Sequence, residues 1–242
     1  MNLIIDVGNT RVKAAVFKQD TLVELFILDT SRIVSEIKKI VKKRNITSII
    51  VSSVAKISDY KLKRISILAD TLLVSSKTKV PFKNLYKTPQ TLGVDRIALA
   101  SGVIHKYRNK NVLVIDAGTC ITFDFVNNKK EYLGGAISPG VEMRYKALHN
   151  FTGKLPLIEK KIPDNFIGNS TNESMNSGIV NGVIKEIEGV ISQYKEKYTD
   201  LTVVLTGGDT NFLAKQLKSS IFANQNFLLE GLNTLLIYNK EE

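Results

Sequence analysis

Two short segments place a carboxylate at the end of an apolar strand, directly ahead of a glycine-bearing turn and a threonine. The first is Asp6-Val7-Gly8-Asn9-Thr10 and the second is Asp116-Ala117-Gly118-Thr119. Glycine has no Cβ, so the backbone N–H groups of such a turn can approach an anion closely. The carboxylate can hold a cation or its water, and that cation offsets phosphate charge. A β-hairpin turn also favours Asp, Gly and Asn, so a single copy fits a plain hairpin equally well. A hairpin does not call for a duplicate, and the second copy favours a pair of phosphate sites. Neither segment is a Walker P-loop, because each joins strand to strand and no G-x-x-x-x-G-K-[ST] is present.

Two further segments carry chemistry. Val203-Val204-Leu205-Thr206 is an apolar strand that runs into Gly207-Gly208-Asp209. Glycines at a strand end let a flat ligand or a phosphate lie against backbone. Tyr86-Lys87-Thr88-Pro89-Gln90-Thr91-Leu92-Gly93-Val94-Asp95-Arg96 is a loop that leads into the apolar helix of Ile97, Leu99, Ala100 and Val103. Asp95 falls at the start of that helix. An N-cap aspartate accounts for it as well as a catalytic carboxylate beside an arginine does.

The elements that must position these residues follow from periodicity. Leu3 to Asp6, Val12 to Phe17 and Leu22 to Leu28 read as three strands. Arg32 to Arg44 reads as a helix, with Ile33, Ile37, Ile40 and Val41 on one face. Strands at Ile49–Val51 and Thr71–Val74 flank a helix capped by Ser58-Asp59. In the second half, Val112–Asp116 and Ile121–Val126 repeat the opening strand–turn–strand unit about 110 residues later. A Gly134-Gly135 turn, a helix from about Pro139, a long helix over about Asn172–Tyr198, the strand Leu201–Leu205 and a last helix over about Asn226–Tyr238 follow. Ile179, Val183, Ile187 and Ile191 share a face of the long helix. Helices alternating with short strands give an α/β protein with mixed sheets, and the repeat gives two related domains. The expected division is 1–108 and 109–242, with a cleft between the two.

Composition narrows the function classes. The chain has 242 residues, 43% of them hydrophobic and 24% charged, which is ordinary for a folded soluble protein. No apolar run approaches the roughly 20 residues of a membrane span. The start has neither the basic region nor the long apolar run of a secretory signal. Cys120 is the one cysteine, so no internal disulfide or Cys-based zinc site is expected, and a reducing cytoplasm is the expected location. Thirty-four Lys and Arg against 23 Asp and Glu give a net charge of +11. Such a balance suits nucleic acid, an acidic membrane face, an anionic small substrate or a solvated surface. No helix-turn-helix signature or basic tail accompanies it, so no nucleic-acid partner is expected. His105 and His149 stand alone and read as surface or capping groups; Tyr194 and Tyr198 read as packing.

In order and spacing, five blocks resemble the type III pantothenate kinases: Asp6–Thr10, Tyr86-x-x-Pro89-x-x-Leu92-Gly93-Val94-Asp95-Arg96, Asp116–Thr119, Gly134-Gly135-x-Ile137-x-Pro139-Gly140 and Gly168-Asn169-Ser170-Thr171. The Thr206–Asp209 segment is similar to the adenosine loop of the wider actin-like ATPases. This resemblance implies two duplicated ribonuclease H-like domains, with an ATP cleft between them. It implies ATP-dependent phosphorylation of pantothenate, the first step of coenzyme A biosynthesis. Asp6, Val7, Gly8, Asn9, Thr10, Arg11, Val12 and Lys13 correspond to the ATP phosphate loop, with Thr119 touching ATP from the other domain. Tyr86, Gly93, Val94, Asp95, Arg96 and Thr171 correspond to the pantothenate pocket, Arg96 pairing with the substrate carboxylate and Asp95 accepting the hydroxyl proton. Asp116 corresponds to a ligand of a monovalent cation, potassium or ammonium. Magnesium with the nucleotide and a homodimer built on helices of the second half complete what the resemblance implies. A nucleic-acid-associated regulator on the same scaffold, motivated by the charge, and an actin-like kinase for another hydroxyl or carboxylate substrate are the competing readings.

Overall fold

The computed structural model describes residues 1–9, 11–54 and 57–240, and they form two compact units. In the first unit, β1 (Asn2–Val7), β2 (Val12–Lys18) and β3 (Thr21–Leu28) form an antiparallel meander. Helix α1 (Ile33–Arg44) leads to β4 (Ser48–Ser53), and α2 (Asp59–Ser66) leads to β5 (Asp70–Leu73). Strand β4 lies parallel to β1 and β5 parallel to β4, so the strand order is β3-β2-β1-β4-β5. Alternation along β1 decides its two faces. Leu3, Ile5 and Val7 join Ile33, Ile37, Ile40 and Ile65 in one core. Ile4 and Asp6 therefore point to the opposite face. A short β6 (Lys83–Asn84), a 3-10 turn at Pro89–Thr91 and α3 (Val94–Lys106) follow.

The second unit repeats the plan. Strands β7 (Asn111–Ala117), β8 (Cys120–Val126) and β9 (Glu131–Pro139) lead to α4 (Val141–Phe151). Helix α5 (Thr171–Asn176) passes through a π-helical turn, Ser177–Asn181, into α6 (Gly182–Lys197). Strand β10 (Leu201–Thr206), α7 (Thr210–Ala214) and β11 (Phe222–Ala223) complete it. The order of this sheet is β11-β10-β7-β8-β9-β6, with β10 parallel to β7. In both units a strand–turn–strand pair thus carries a parallel strand beside its first member. Ile179, Val183, Ile187 and Ile191 pack on Leu113, Ile115, Phe123 and Leu205, as their spacing requires.

The long helix expected over 172–198 is interrupted. A π-helical turn stands at Ser177–Asn181, where Ser177 Oγ donates to the carbonyl of Phe166 at 2.5 Å and accepts from Asn181 Nδ2 at 3.1 Å. These bonds tie the wide turn to the loop before α5 and to the next turn of the helix.

Beyond a one-residue shift at Asn109, the units depart from the division at residues 108 and 109 in two places. The hairpin tip 126–133 and the chain from Asn226 onward belong with the first unit. The last helix, α8 (Phe227–Tyr238), is apolar nearly all round and packs on α3. Its buried Asn233 donates to the Gln19 carbonyl at 2.9 Å and accepts from Asn2 Nδ2 at 3.0 Å. Glycines set how closely the two helices approach. A Cβ on Gly231 would stand 2.1 Å from the Ala98 carbonyl oxygen, and one on Gly102 would stand 3.1 Å from Gly231 Cα. Gly231→Ala forces these backbones apart and is expected to cost about 3 kcal/mol, the upper end of overpacking. Urea unfolding reads this as a lowered midpoint at unchanged slope.

Candidate active site

Asp6 is the last polar residue of β1 before the first glycine turn. Sheet register places Lys13 of β2 opposite it on one side and Ser52 of β4 on the other. The carboxyl is buried, with 8% of its residue surface exposed. Burial pushes its pKa up from 3.8 to about 6. Lys13 opposes that rise, the charge of Asp95 adds to it, and the Ser52 hydroxyl lowers it slightly. The result is a carboxylate that carries charge at neutral pH with little to offset it. Beyond it the turn closes through Gly8 N–H to the Arg11 carbonyl at 3.1 Å. Val7 and Val12 are buried core residues, whereas Asn9 and Arg11 are exposed. Thr10 lies outside the described residues.

Asp95 and Arg96 open α3. Gly93, not Asp95, occupies the N-cap position, and Asp95 sits in the first turn. This corrects the capping alternative. The Asp95 carboxylate accepts a hydrogen bond from the Arg96 N–H at 2.8 Å through Oδ1. It folds back over Gly93 so closely that a Cβ there would stand 2.4 Å from Oδ1. A side chain at 93 would displace the Asp95 carboxylate from this position. Arg96 is 5% exposed, and its guanidinium lies 5.5 Å from the Tyr86 ring centre and 6.0 Å from that of Tyr132. The first unit thus brings together Asp6, Lys13, Asp95 and, one residue on, Arg96 with Tyr86. Val94 contributes the first helical residue of α3.

In the second unit the Asp116–Thr119 turn is held by backbone. Gly118 N–H donates to the Cys120 carbonyl at 2.9 Å, Gly140 N–H to the Thr119 carbonyl at 3.1 Å, and Asp209 N–H to the Ala117 carbonyl at 2.9 Å. Gly140 and Gly207 clasp the turn so tightly that side chains are excluded. A Cβ on Gly140 would meet the Gly118 carbonyl at 2.2 Å, and one on Gly207 would meet Asp116 Oδ1 at 2.4 Å. Gly207 also takes a φ of +97°, which only glycine adopts without strain. Thr119 is exposed. Thr171, also exposed, is the first residue of α5. Ser170 Oγ accepts from the Glu173 N–H at 3.3 Å, and Glu173 Oε2 accepts from the Asn169 N–H at 3.0 Å. Together they cap α5.

Sequence reasoning missed three residues near these groups. Ser52 shows no sequence signal beyond a serine at a strand end. Tyr132 sits in β9, where strand alternation marks it as inward-facing but not as a neighbour of Arg96. Lys160, in the loop after α4, pairs with the buried carboxylate of Asp209 and lies 5.4 Å from the Phe212 ring centre. The residues expected to be structural are so. His149 Nδ1 sits 2.8 Å from the Leu155 carbonyl, His105 lies 3.4 Å from Asp20, and Tyr194 and Tyr198 pack on Phe125. Among the described residues, no group of three or more His, Cys, Asp or Glu side chains forms a metal cage, and no helix is long and apolar enough to cross a membrane.

Known proteins resemble the chain along its full length. It is 47% identical to a type III pantothenate kinase of Flavobacterium psychrophilum over 241 residues, covering 99% of this chain and 100% of the relative. It is 42% identical to one from Bacteroides fragilis, with 99% and 98% covered. Among solved structures, a Baf-family protein from Campylobacter jejuni matches with a TM-score of 0.66 at 20% identity, covering 99% of this chain and all of that one. A ROK-family glucokinase from Streptomyces griseus matches with a TM-score of 0.56 at 10% identity, covering 100% and 99%. These structural likenesses show a shared fold, two mixed sheets flanked by helices. The model of the type III pantothenate kinase family matches residues 2–193. With the five sequence blocks and their geometry, this places the chain in the type III pantothenate kinase family.

Proposed function

We propose that the protein transfers the γ-phosphoryl group of ATP to the primary hydroxyl of pantothenate, giving 4'-phosphopantothenate, the first step towards coenzyme A. The observation that carries this is Asp95 and Arg96 side by side at the start of α3, the first held over Gly93 and the second buried against Tyr86. A carboxylate and a fixed guanidinium suit a substrate with a hydroxyl to deprotonate and a carboxylate to pair. Asp95 accepts the hydroxyl proton as that oxygen bonds to the γ-phosphorus. The bond from phosphorus to the bridging oxygen breaks, and ADP leaves with the electron pair. Tyr86, Gly93, Val94 and Thr171 complete the substrate contacts.

The residues from Asp6 to Lys13 bind the nucleotide's phosphates. Lys13 supplies positive charge, and the N–H groups of the Gly8 turn approach the phosphate oxygens. Asp6 fits magnesium, since Lys13 and Ser52 offset its buried negative charge only in part. Magnesium bound there neutralises phosphate charge. Thr119 contributes a hydroxyl to ATP. Asp116 holds a monovalent cation, potassium or ammonium; its carboxylate rests over Gly207 where no Cβ intrudes. A monovalent ion neutralises charge with a weaker hold than magnesium does. The protein acts as a homodimer. Exposed Phe151, Leu157, Phe166 and Ile167 on the second unit supply apolar surface that a monomer would leave in water.

The test is ADP release by the purified protein with magnesium and ATP, with and without pantothenate, in potassium and then in sodium buffer. Release that requires pantothenate and rises at least tenfold in potassium is the expected result. Release without pantothenate dependence in either salt removes the substrate assignment. Equal rates in both salts remove the Asp116 cation alone.

A further inference from the structure

We propose that Tyr132 is a positioning residue that sets the aim of the Arg96 guanidinium, and through it the preference for a substrate bearing a carboxylate. This deepens the reading above and rests on Arg96 as the partner of that carboxylate. Tyr132 is fully buried at the start of β9. Its ring centre lies 6.0 Å from the Arg96 guanidinium carbon, 6.2 Å from the Tyr86 ring and 5.9 Å from the Phe82 ring. Arg96 is thus held against two tyrosine rings, and the second of these was not among the residues marked by motif.

Backbone pairing fixes that ring. Strand β6 runs parallel to β9 with Asn84 opposite Tyr132. The Leu85 N–H donates to the Tyr132 carbonyl at 2.9 Å, and the Lys83 N–H to the Lys130 carbonyl at 2.9 Å. One residue on, the Tyr86 N–H donates to Asn84 Oδ1 at 3.0 Å. The strand that carries Tyr132 therefore also places Tyr86. A guanidinium on a flexible stem has many rotamers, and a ring face selects among them through the attraction between cation and π cloud. A guanidinium so held in a buried setting keeps its charge, because arginine does not deprotonate in proteins. It can then distinguish a carboxylate from a neutral group at the same place.

The experiment compares four forms of the full-length protein, wild type, Tyr132→Leu, Tyr132→Phe and Arg96→Gln, on pantothenate and on its alcohol analogue, which lacks the carboxylate but keeps the reacting hydroxyl. Tyr132→Leu is expected to raise the pantothenate KM about tenfold, with kcat and the ATP KM within about twofold. The ratio of kcat/KM for acid over alcohol falls by the same factor. Tyr132→Phe keeps the ring face and the wild-type ratio. A purely structural loss would move both substrates and ATP together. Tyr132→3,4,5-trifluorophenylalanine preserves shape while weakening the π face. It serves if the leucine variant does not fold, and it is expected to lower the ratio relative to Tyr132→Phe. An unchanged ratio in the ring-altered variants, with a collapsed ratio in Arg96→Gln, overturns the role of Tyr132 alone. An unchanged ratio in Arg96→Gln overturns the reading of Arg96 and the role of Tyr132 with it.

Discussion

Asp95→Asn is expected to lower pantothenate-dependent turnover by about a thousandfold, within the range for loss of a positioned general base. The substitution keeps shape and a hydrogen-bond acceptor. Its amide oxygen can still take the Arg96 N–H that Asp95 Oδ1 takes now. The site around Gly93 has room for the same side-chain path, so folding is expected to survive. In the proposed pocket of Arg96 and Tyr86, pantothenate affinity is expected to change little. Isothermal titration with pantothenate and single-turnover transfer from ATP separate the two effects. Retained binding with lost transfer assigns Asp95 to the chemical step. Wild-type turnover in Asp95→Asn would remove it from the mechanism, leaving positioning and charge neutralisation as the only contributions of the protein. That outcome is physically admissible, since loose phosphoryl-transfer transition states place little demand on a base.

Much of the fold is legible in the sequence because the signals are local. The α1 face of Ile33, Ile37 and Ile40, the Ser58 cap of α2 and the Ile179–Ile191 stripe each depend on residues within a few turns of one another. The internal repeat is legible for the same reason, and the sheets confirm it by placing β4 beside β1 and β10 beside β7. What escaped depends on contacts distant in sequence. Helix α8 reads as one more helix of the second half, and only the Gly102–Gly231 approach and Asn233 reveal its place in the first unit. The same holds at the site. Asp6 and Asp95 announce themselves by glycine and strand context. Ser52 and Tyr132 become neighbours of those groups through strand register, across separations that no spacing rule reaches. Gly93 illustrates the middle case. It reads as loop punctuation beside Pro89, and its reason emerges only when the Asp95 carboxylate is seen lying where its side chain would be.

Asp6→Asn is expected to stabilise the ligand-free protein at pH 7.5 while disabling the kinase. The Asp6 pKa lies near 6 in the fold against 3.8 for the ordinary carboxyl, chiefly because burial penalises its charge. At about 1.4 kcal/mol per pH unit, holding that charge costs the native state about 3 kcal/mol at neutral pH. The sign follows from proton binding. Between about pH 4 and pH 6 the native state binds more protons at this site than the unfolded chain does. This site's contribution is therefore most favourable below pH 3.8, and stability falls as pH rises through the native pKa. Asparagine carries no such charge. The stability difference between Asp6→Asn and wild type, from urea unfolding at several pH values, should grow by about 3 kcal/mol between pH 4 and pH 7 and then level off. A difference that stays flat across this range would show that Asp6 does not carry an uncompensated buried charge. Magnesium and ATP together should reverse the order. A cation and its phosphate partners supply the compensation that the fold withholds, so they stabilise wild type more than the variant. The carboxylate whose charge the fold leaves largely uncompensated is thus the one that a magnesium–nucleotide complex would compensate.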